Sequence, residues 1–148
     1  MPNWCDNELE ATGTKKAIEQ LQKDALNEDA QIDFNLAVPQ PPNLGDGWYD
    51  WNVENWGTKW GPCDASCEST NIEGKVAEWS VTFETAWAPP LPWLKVLAAK
   101  HPEVTLSLAY SEPGMEFEGV IELRGERVLE ERKFTSTSTL HERLRGRG

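Results

Sequence analysis

The stretch VAEWSVTFETAW, Val76–Trp87, alternates without a break: Ala77, Trp79, Val81, Phe83, Thr85 and Trp87 fall on one side, and mostly polar residues on the other. Period-2 alternation marks a strand with one buried face. Pro89 and Pro90 follow, and proline suits the start of a helix, where the first N–H groups have no intrahelical partner anyway. A helix from Leu91 to Lys100 then buries Leu94, Leu97 and Ala98 and is closed by Pro102. The next strand, Val104 to Tyr110, puts Val104, Leu106, Leu108 and Tyr110 on one face. This is a complete β-α-β unit.

Upstream the same grammar recurs. Asn3 to Thr12 alternates Cys5, Asn7, Leu9 and Ala11 against Trp4, Asp6, Glu8 and Glu10, and Gly13 ends it. Thr14 is a good N-cap for a helix through Asn27 with Ile18, Leu21, Ala25 and Leu26 on one stripe. A second strand is expected from Ile32 to Val38, with Ile32, Phe34, Leu36 and Val38 on one face. Pro39, Pro41 and Pro42 stop it. Two β-α-β halves predict an α+β chain of ferredoxin-like type, a sandwich of one antiparallel sheet with two helices on one face. Residues 39–75 read as an insertion between the halves. Glu116–Arg124 and Glu126–Phe134 read as an added C-terminal hairpin turning at Gly125, with Phe117, Ile121 and Leu123 inward. Residues 1–134 thus form a single domain, followed by a polar and then basic tail, 135–148, with a short helix expected from Leu140 and a mobile end.

Length and charge narrow the function. At 148 residues the chain is long enough to bury a real core. No apolar run approaches the roughly 20 residues that cross a bilayer, and no export signal opens the chain, so the expected location is the cytoplasm. Three cysteines, an odd number, do not make a disulfide framework and fit a reducing compartment. The net charge is −11. From Arg124 onward seven Lys/Arg stand against four Asp/Glu, or +3, leaving −14 for the remainder. Such a field repels nucleic-acid phosphates and membrane surfaces and favours basic partners. Solubility is the plain reading of the charge. The sharper one is imitation of nucleic acid, which requires the carboxylates on one face.

The inserted segment carries the most unusual composition. Gly47–Trp60, GWYDWNVENWGTKW, holds four of the chain's eight tryptophans. Gly47 to Trp56 reads as a short helix with Gly57 just past its end. Tyr49, Val53 and Trp56 share a face expected to pack on the domain, while Trp48 and Trp51 point elsewhere. Core packing is the reading for Trp56, Trp79 and Trp87. For Trp48, Trp51 and Trp60 packing and a binding surface are equally open.

Four blocks carry a family resemblance: Met1–Asn7 (MPNWCDN), Trp51–Trp60 (WNVENWGTKW), Phe83–Pro90 (FETAWAPP) and Tyr110–Phe117 (YSEPGMEF). In this order they resemble the YubB-like family, small proteins encoded by phages, plasmids and integrated elements. The resemblance implies a ferredoxin-like domain and no assigned chemistry. Cys63 and Cys67, in what reads as a loop, do not match the family pattern.

The residues themselves offer little catalysis. Cys63-x-x-x-Cys67 invites a metal, but Cys5, His101 and His141 are scattered and make no second ligand pair, so no metal and no cofactor are expected. With two histidines, one at a helix end and one in the tail, no nucleophile–base–orienter set can be read. A proline amine exposed by loss of Met1, as in the tautomerases, has Pro2 alone to support it. Asp46, Asp50 and Glu54 lie on one helical stripe, which reads as a solvated face. The expectation is therefore a non-enzymatic accessory protein that binds another protein, host-derived or encoded by the same element. It would do so through its acidic surface and Trp48, Asp50, Trp51, Glu54, Asn55, Lys59 and Trp60. The alternative is a ligand-binding domain or small enzyme with a pocket between insertion and sheet, lined by Asp50, Trp51, Asn55 and Lys59.

Overall fold

The computed structural model describes residues 4–29, 31–59, 61–112 and 117–134, with the backbone alone over 63–69 and at 134. Residues 135–148, including the helix expected from Leu140, lie outside the described residues, as does Trp60. The chain opens with strand β1 (Trp4–Thr14) and helix α1 (Lys15–Ala25), followed by a single helical turn, α2 (Phe34–Ala37), and helix α3 (Trp48–Asn55). Strands β2 (Cys63–Glu73) and β3 (Val76–Ala86), helix α4 (Leu91–Lys100), strand β4 (Thr105–Glu112) and the hairpin β5 (Phe117–Arg124) and β6 (Arg127–Phe134) complete it. All six strands form one antiparallel sheet in the order β2-β3-β1-β4-β5-β6. Read along the chain, β1-α1-β2-β3-α4-β4 is the β-α-β-β-α-β arrangement, and β5-β6 extends the sheet beyond β4.

Inward positions of the strands and the buried stripes of the helices make one core, in which Leu9, Val81, Trp79, Leu106, Leu108 and Ile121 meet Ile18, Leu21, Trp93, Leu94 and Leu97. Thr14 caps α1 as its sequence position implies, its hydroxyl accepting from the Ala17 N–H at 3.1 Å. The β2–β3 and β5–β6 turns place Gly74 and Gly125 at φ +60° and +59°, conformations that glycine adopts without a Cβ penalty.

Two expectations fail, for one connected reason. Ile32–Val38 is not a strand. Ile32 makes an isolated bridge to Leu26, and Phe34–Ala37 is a helical turn capped by Asp33, whose carboxylate accepts from the Asn35 N–H at 3.0 Å. The inward residues are therefore Ile32, Phe34 and Ala37, and Leu36 faces solvent. The strand that completes the first half is β2, which lies inside the segment read as insertion. As an edge strand it pairs on one side only, with β3, and its sequence, CDASCESTNIE, lacks clean alternation. The insertion therefore spans 26–62, between α1 and β2 rather than between the halves. Cys63 and Cys67 accordingly sit on a strand and not in a loop, on either side of a register shift against Glu84 and Thr82.

Candidate functional site

At the C-terminal end of β3 the chain makes a sharp detour. Trp87 has φ +69°, alone among the described non-glycine residues in taking a positive value. The Ala88 N–H donates to the Ala86 carbonyl at 2.9 Å, closing a three-residue turn around Trp87. A γ-turn of this left-handed kind is rare and strained, costing on the order of 1–3 kcal/mol. The buried Thr85 hydroxyl holds it, donating to the Ala88 carbonyl at 2.6 Å while accepting from Asn7 Nδ2 at 2.9 Å. Asn7 Nδ2 also reaches the Cys5 and Phe83 carbonyls at 3.1 and 3.4 Å, which ties the turn to the start of β1.

The turn swings the Trp87 indole out of the core, where the alternation of β3 would have placed it; it is 42% exposed. The expected burial of Trp87 is thus corrected, because the strand ends at Ala86 and the pattern was carried one residue too far. Outside, the ring meets Tyr49 edge-on, with centroids 6.3 Å apart, and Tyr49 meets Trp48 at 5.9 Å. The Lys59 ammonium lies 5.0 Å from the Trp87 centroid and 5.6 Å from that of Tyr49, within cation–π range of both.

The insertion is fastened to deliver these groups. Asn52, almost wholly buried, donates from Nδ2 to the Lys59 carbonyl at 2.8 Å and accepts at Oδ1 from Gln40 Nε2 at 2.7 Å. Gly57 has φ +89°, and a Cβ there would stand 2.5 Å from Pro92 Cδ, so the segment after α3 lies directly against the start of α4. Trp56 Nε1 donates to the Val38 carbonyl at 2.9 Å. Its ring packs on Phe34 at 5.7 Å, and Phe34 packs on Trp93 at 4.7 Å. Trp56 and Trp79 are buried, as expected, but Val53 is exposed: α3 packs through Asn52 and Trp56 instead.

Of the residues singled out from the sequence, Trp48 is 36% exposed and Asp50 and Glu54 face solvent. Trp51 is half-buried against the core, edge-on to Trp56 at 5.4 Å. Asn55 is turned inward along α3, donating to the Trp51 carbonyl at 2.9 Å. Only Trp48 and Lys59 join the surface cluster. Tyr49 and Trp87, its two central rings, were missed. The signal available for Trp87 was the Ala-Pro-Pro that follows, since a strand that must yield at once to a proline-led helix has to turn sharply.

Beneath the turn, burial pushes the Cys5 thiol up to about 12; the Thr85 hydrogen bond opposes this, and the Asp6 and Glu112 carboxylates add to it. A thiol held protonated in the interior is no nucleophile. Among the described residues no three His, Cys, Asp or Glu are grouped to hold a metal ion, and no helix is long and apolar enough to cross a membrane. His101, expected at a helix end without a partner, instead bonds Asp24 of α1 through Nε2 at 2.7 Å. A cleft of about 500 Å³ lies beside it, lined by Thr14, Lys16, Gln20, Lys100, His101 and Glu103 among others, and it includes none of Asp50, Trp51, Asn55 or Lys59.

The outward face of the sheet is the other surface of note. Asp6, Glu8 and Glu10 stand exposed along β1, and no Lys or Arg occupies an outward position of β1, β3 or β4. On β5 and β6 that face also carries Arg124 and Arg132, opposite Thr105 and Val120, and Arg132 pairs with Glu130.

No curated protein matches the chain. Among solved structures, a protein api92 from Yersinia pseudotuberculosis is similar, with a TM-score of 0.58 and 12% sequence identity, over 69% of this chain and 39% of that one. A likeness at that identity speaks for the fold. A family model described as a ferredoxin-like domain in Api92-like protein matches residues 55–143. That span holds β2 to β6 and α4, while β1, the strand that joins β3 to β4, comes from outside it. Since the match covers more than half of the sequence, the chain belongs to the family of Api92-like proteins with a ferredoxin-like domain.

Proposed function

We propose that this is a protein-binding module, a non-enzymatic accessory protein of a phage, plasmid or integrated element that acts in the cytoplasm of its host. The observation that carries the reading is the strained Trp87 turn, which holds an indole at the surface beside Tyr49, Trp48 and Lys59. Interior packing would be better served by an unstrained Trp87 pointing inward. Strained backbone persists where surrounding structure over-determines it, and it concentrates at binding and active sites. Tryptophan and tyrosine on a rigid support are the residues that dominate protein interfaces. The burial of the Cys5 thiol supports binding over catalysis.

The test is capture of tagged protein from nuclease-treated host lysate, comparing wild type with the double variant Trp48→Ala/Trp87→Ala. A stoichiometric protein that is held by wild type and lost by the folded double variant is the expected result. A partner retained equally by both would overturn this surface as the interface, and recovery of nucleic acid alone would overturn the protein-binding reading.

A further inference from the structure

The two cysteines of β2 stand closer together than their spacing in sequence foretells. In a regular strand Cys63 and Cys67 would be four residues of rise apart, roughly 13 Å, which is too far to bridge. The ladder with β3 is not regular here. Cys63 is opposite Glu84 and Cys67 is opposite Thr82, so Asp64, Ala65 and Ser66 together occupy the length that β3 gives to Phe83 alone. Two residues of rise separate Thr82 from Glu84, about 6.7 Å, and the backbone positions opposite them are spaced alike. Disulfides usually join Cα atoms roughly 4.4–6.8 Å apart. The bulge thus turns a span out of reach into one within reach.

Thr82 and Glu84 lie two apart on one strand and so share a face, and the register places Cys63 and Cys67 on that same face. β2 is also an edge, pairing with β3 and with no other described strand. A small further approach of the two Cα atoms therefore moves edge backbone only and breaks no second ladder. Bulges on edge strands serve by themselves to deter pairing with another chain. That role accounts for the irregularity but not for a cysteine at each end of it.

We propose that Cys63 and Cys67 close reversibly into a disulfide across this bulge, a redox-sensitive site on the edge of the sheet. The oxidant is a low-molecular-weight disulfide such as oxidised glutathione. One thiolate of the pair attacks it, forming a mixed disulfide and releasing one glutathione thiolate. The other thiolate then attacks the protein sulfur of that bond, which forms the Cys63–Cys67 link and releases the second glutathione. The pair gives up two electrons and two protons, and the oxidant leaves as two thiols. In a reducing cytoplasm the link stays open, and it closes when the glutathione pool is oxidised. Cys5, fully buried on β1, takes no part.

The purified full chain, equilibrated in graded mixtures of reduced and oxidised glutathione, quenched with an alkylating agent and digested with trypsin, tests this. Lys59 and Lys75 bracket one tryptic peptide, 60–75, that holds both cysteines. Cysteines four apart can pair in any flexible chain, so the experiment is run on folded protein and again in urea. The folded chain is expected to yield that peptide two hydrogens lighter and free of glutathione. The effective concentration of the pair should be about tenfold or more above that in urea. By linkage the oxidised protein should then be more stable than the reduced one by the same factor, about 1.4 kcal/mol, read as a higher urea midpoint. Cys67→Ser should hold one glutathione on Cys63 and show no such gain. Equal or lower effective concentration in the folded chain would overturn the proposal. So would glutathione retained on both cysteines, or a link from either one to a second chain. The assay uses no partner, so its outcome is independent of lysate capture.

Discussion

Two groups of aromatic rings lie within one small part of this molecule and are used in opposite ways. The inner group, Phe34, Trp56, Phe83 and Trp93, interlocks at centroid distances of 4.7–6.3 Å and is almost wholly buried. The outer group, Trp48, Tyr49 and Trp87, makes similar edge-on contacts at 5.9 and 6.3 Å but stays partly in water. Residue type does not separate them, since tryptophan occurs in both. Backbone separates one ring: Trp87 hangs from a γ-turn with φ +69°, whereas Trp48 and Tyr49 sit on ordinary helical backbone at the start of α3. The placement of the Trp87 indole was decided by its own peptide unit and not by its hydrophobicity.

The largest test of that difference is a pair of truncations. Phe34→Ala removes the ring that touches three others and should cost about 3–5 kcal/mol, read as a lower denaturation midpoint at unchanged slope. Trp48→Ala, a larger deletion in the outer group, should cost no more than about 0.5 kcal/mol. Comparable losses would erase the distinction. The support beneath the outer group can be broken next. Gly57→Ala meets both a positive φ and a Cβ 2.5 Å from Pro92 Cδ, and should cost about 2–4 kcal/mol while moving Lys59 away from Trp87. A variant as stable as wild type would mean that the insertion is not pressed against α4.

The architecture was legible wherever one face of a strand is covered and the other is wet. Those conditions produce the alternation of β1, β3 and β4, and the same principle gives the stripe of α1. It was illegible at β2, where an edge position leaves too few packed neighbours to impose a pattern, and at Ile32–Val38, where four apolar residues two apart imitate a strand. Asp33 was the available signal there, an Asx cap one residue before the turn. The site was half legible. Trp48 and Lys59 drew attention through composition, whereas Trp87 was lost because amphipathic periodicity has no way to report handedness, and Tyr49 because the stripe it shares with Val53 and Trp56 reads as a packing face. Local rules fail where structure serves something other than local stability.

Alkaline pH probes the polar plug beneath the turn. The Cys5 thiol, ordinarily near 9.0, is raised to about 12 in the folded protein chiefly by burial, and the Tyr110 hydroxyl is raised from 10.0 to about 12 by burial, with the Glu131 carboxylate adding. A folded value above the unfolded one means that the stabilisation is complete below pH 9 and is lost as pH rises toward 12. The slope for one group is at most about 1.4 kcal/mol per pH unit, which gives roughly 1–2 kcal/mol by pH 10. Urea midpoints from pH 7 to 10 should fall in wild type and stay flatter in Cys5→Ala. Parallel curves for the two proteins would remove Cys5 from the account.

The smallest effect bears most directly on the comparison, because it separates backbone from ring. Trp87→Ala and Trp87→Gly both delete the indole, so every contact with Tyr49 and Lys59 is gone from each. They differ in what φ +69° demands of the residue. Alanine keeps a Cβ that the left-handed region penalises by roughly 1–2 kcal/mol, and glycine escapes this at an entropic cost of about 0.5–1 kcal/mol in the unfolded chain. The glycine variant should therefore be more stable than the alanine variant by about 0.5–1 kcal/mol. At an ordinary exposed strand position, such as Thr82, the same pair should order the other way. If alanine is the better residue at both positions, the turn at Trp87 stores no strain, and the outward ring loses its claim to be held at the surface against the preference of its own backbone.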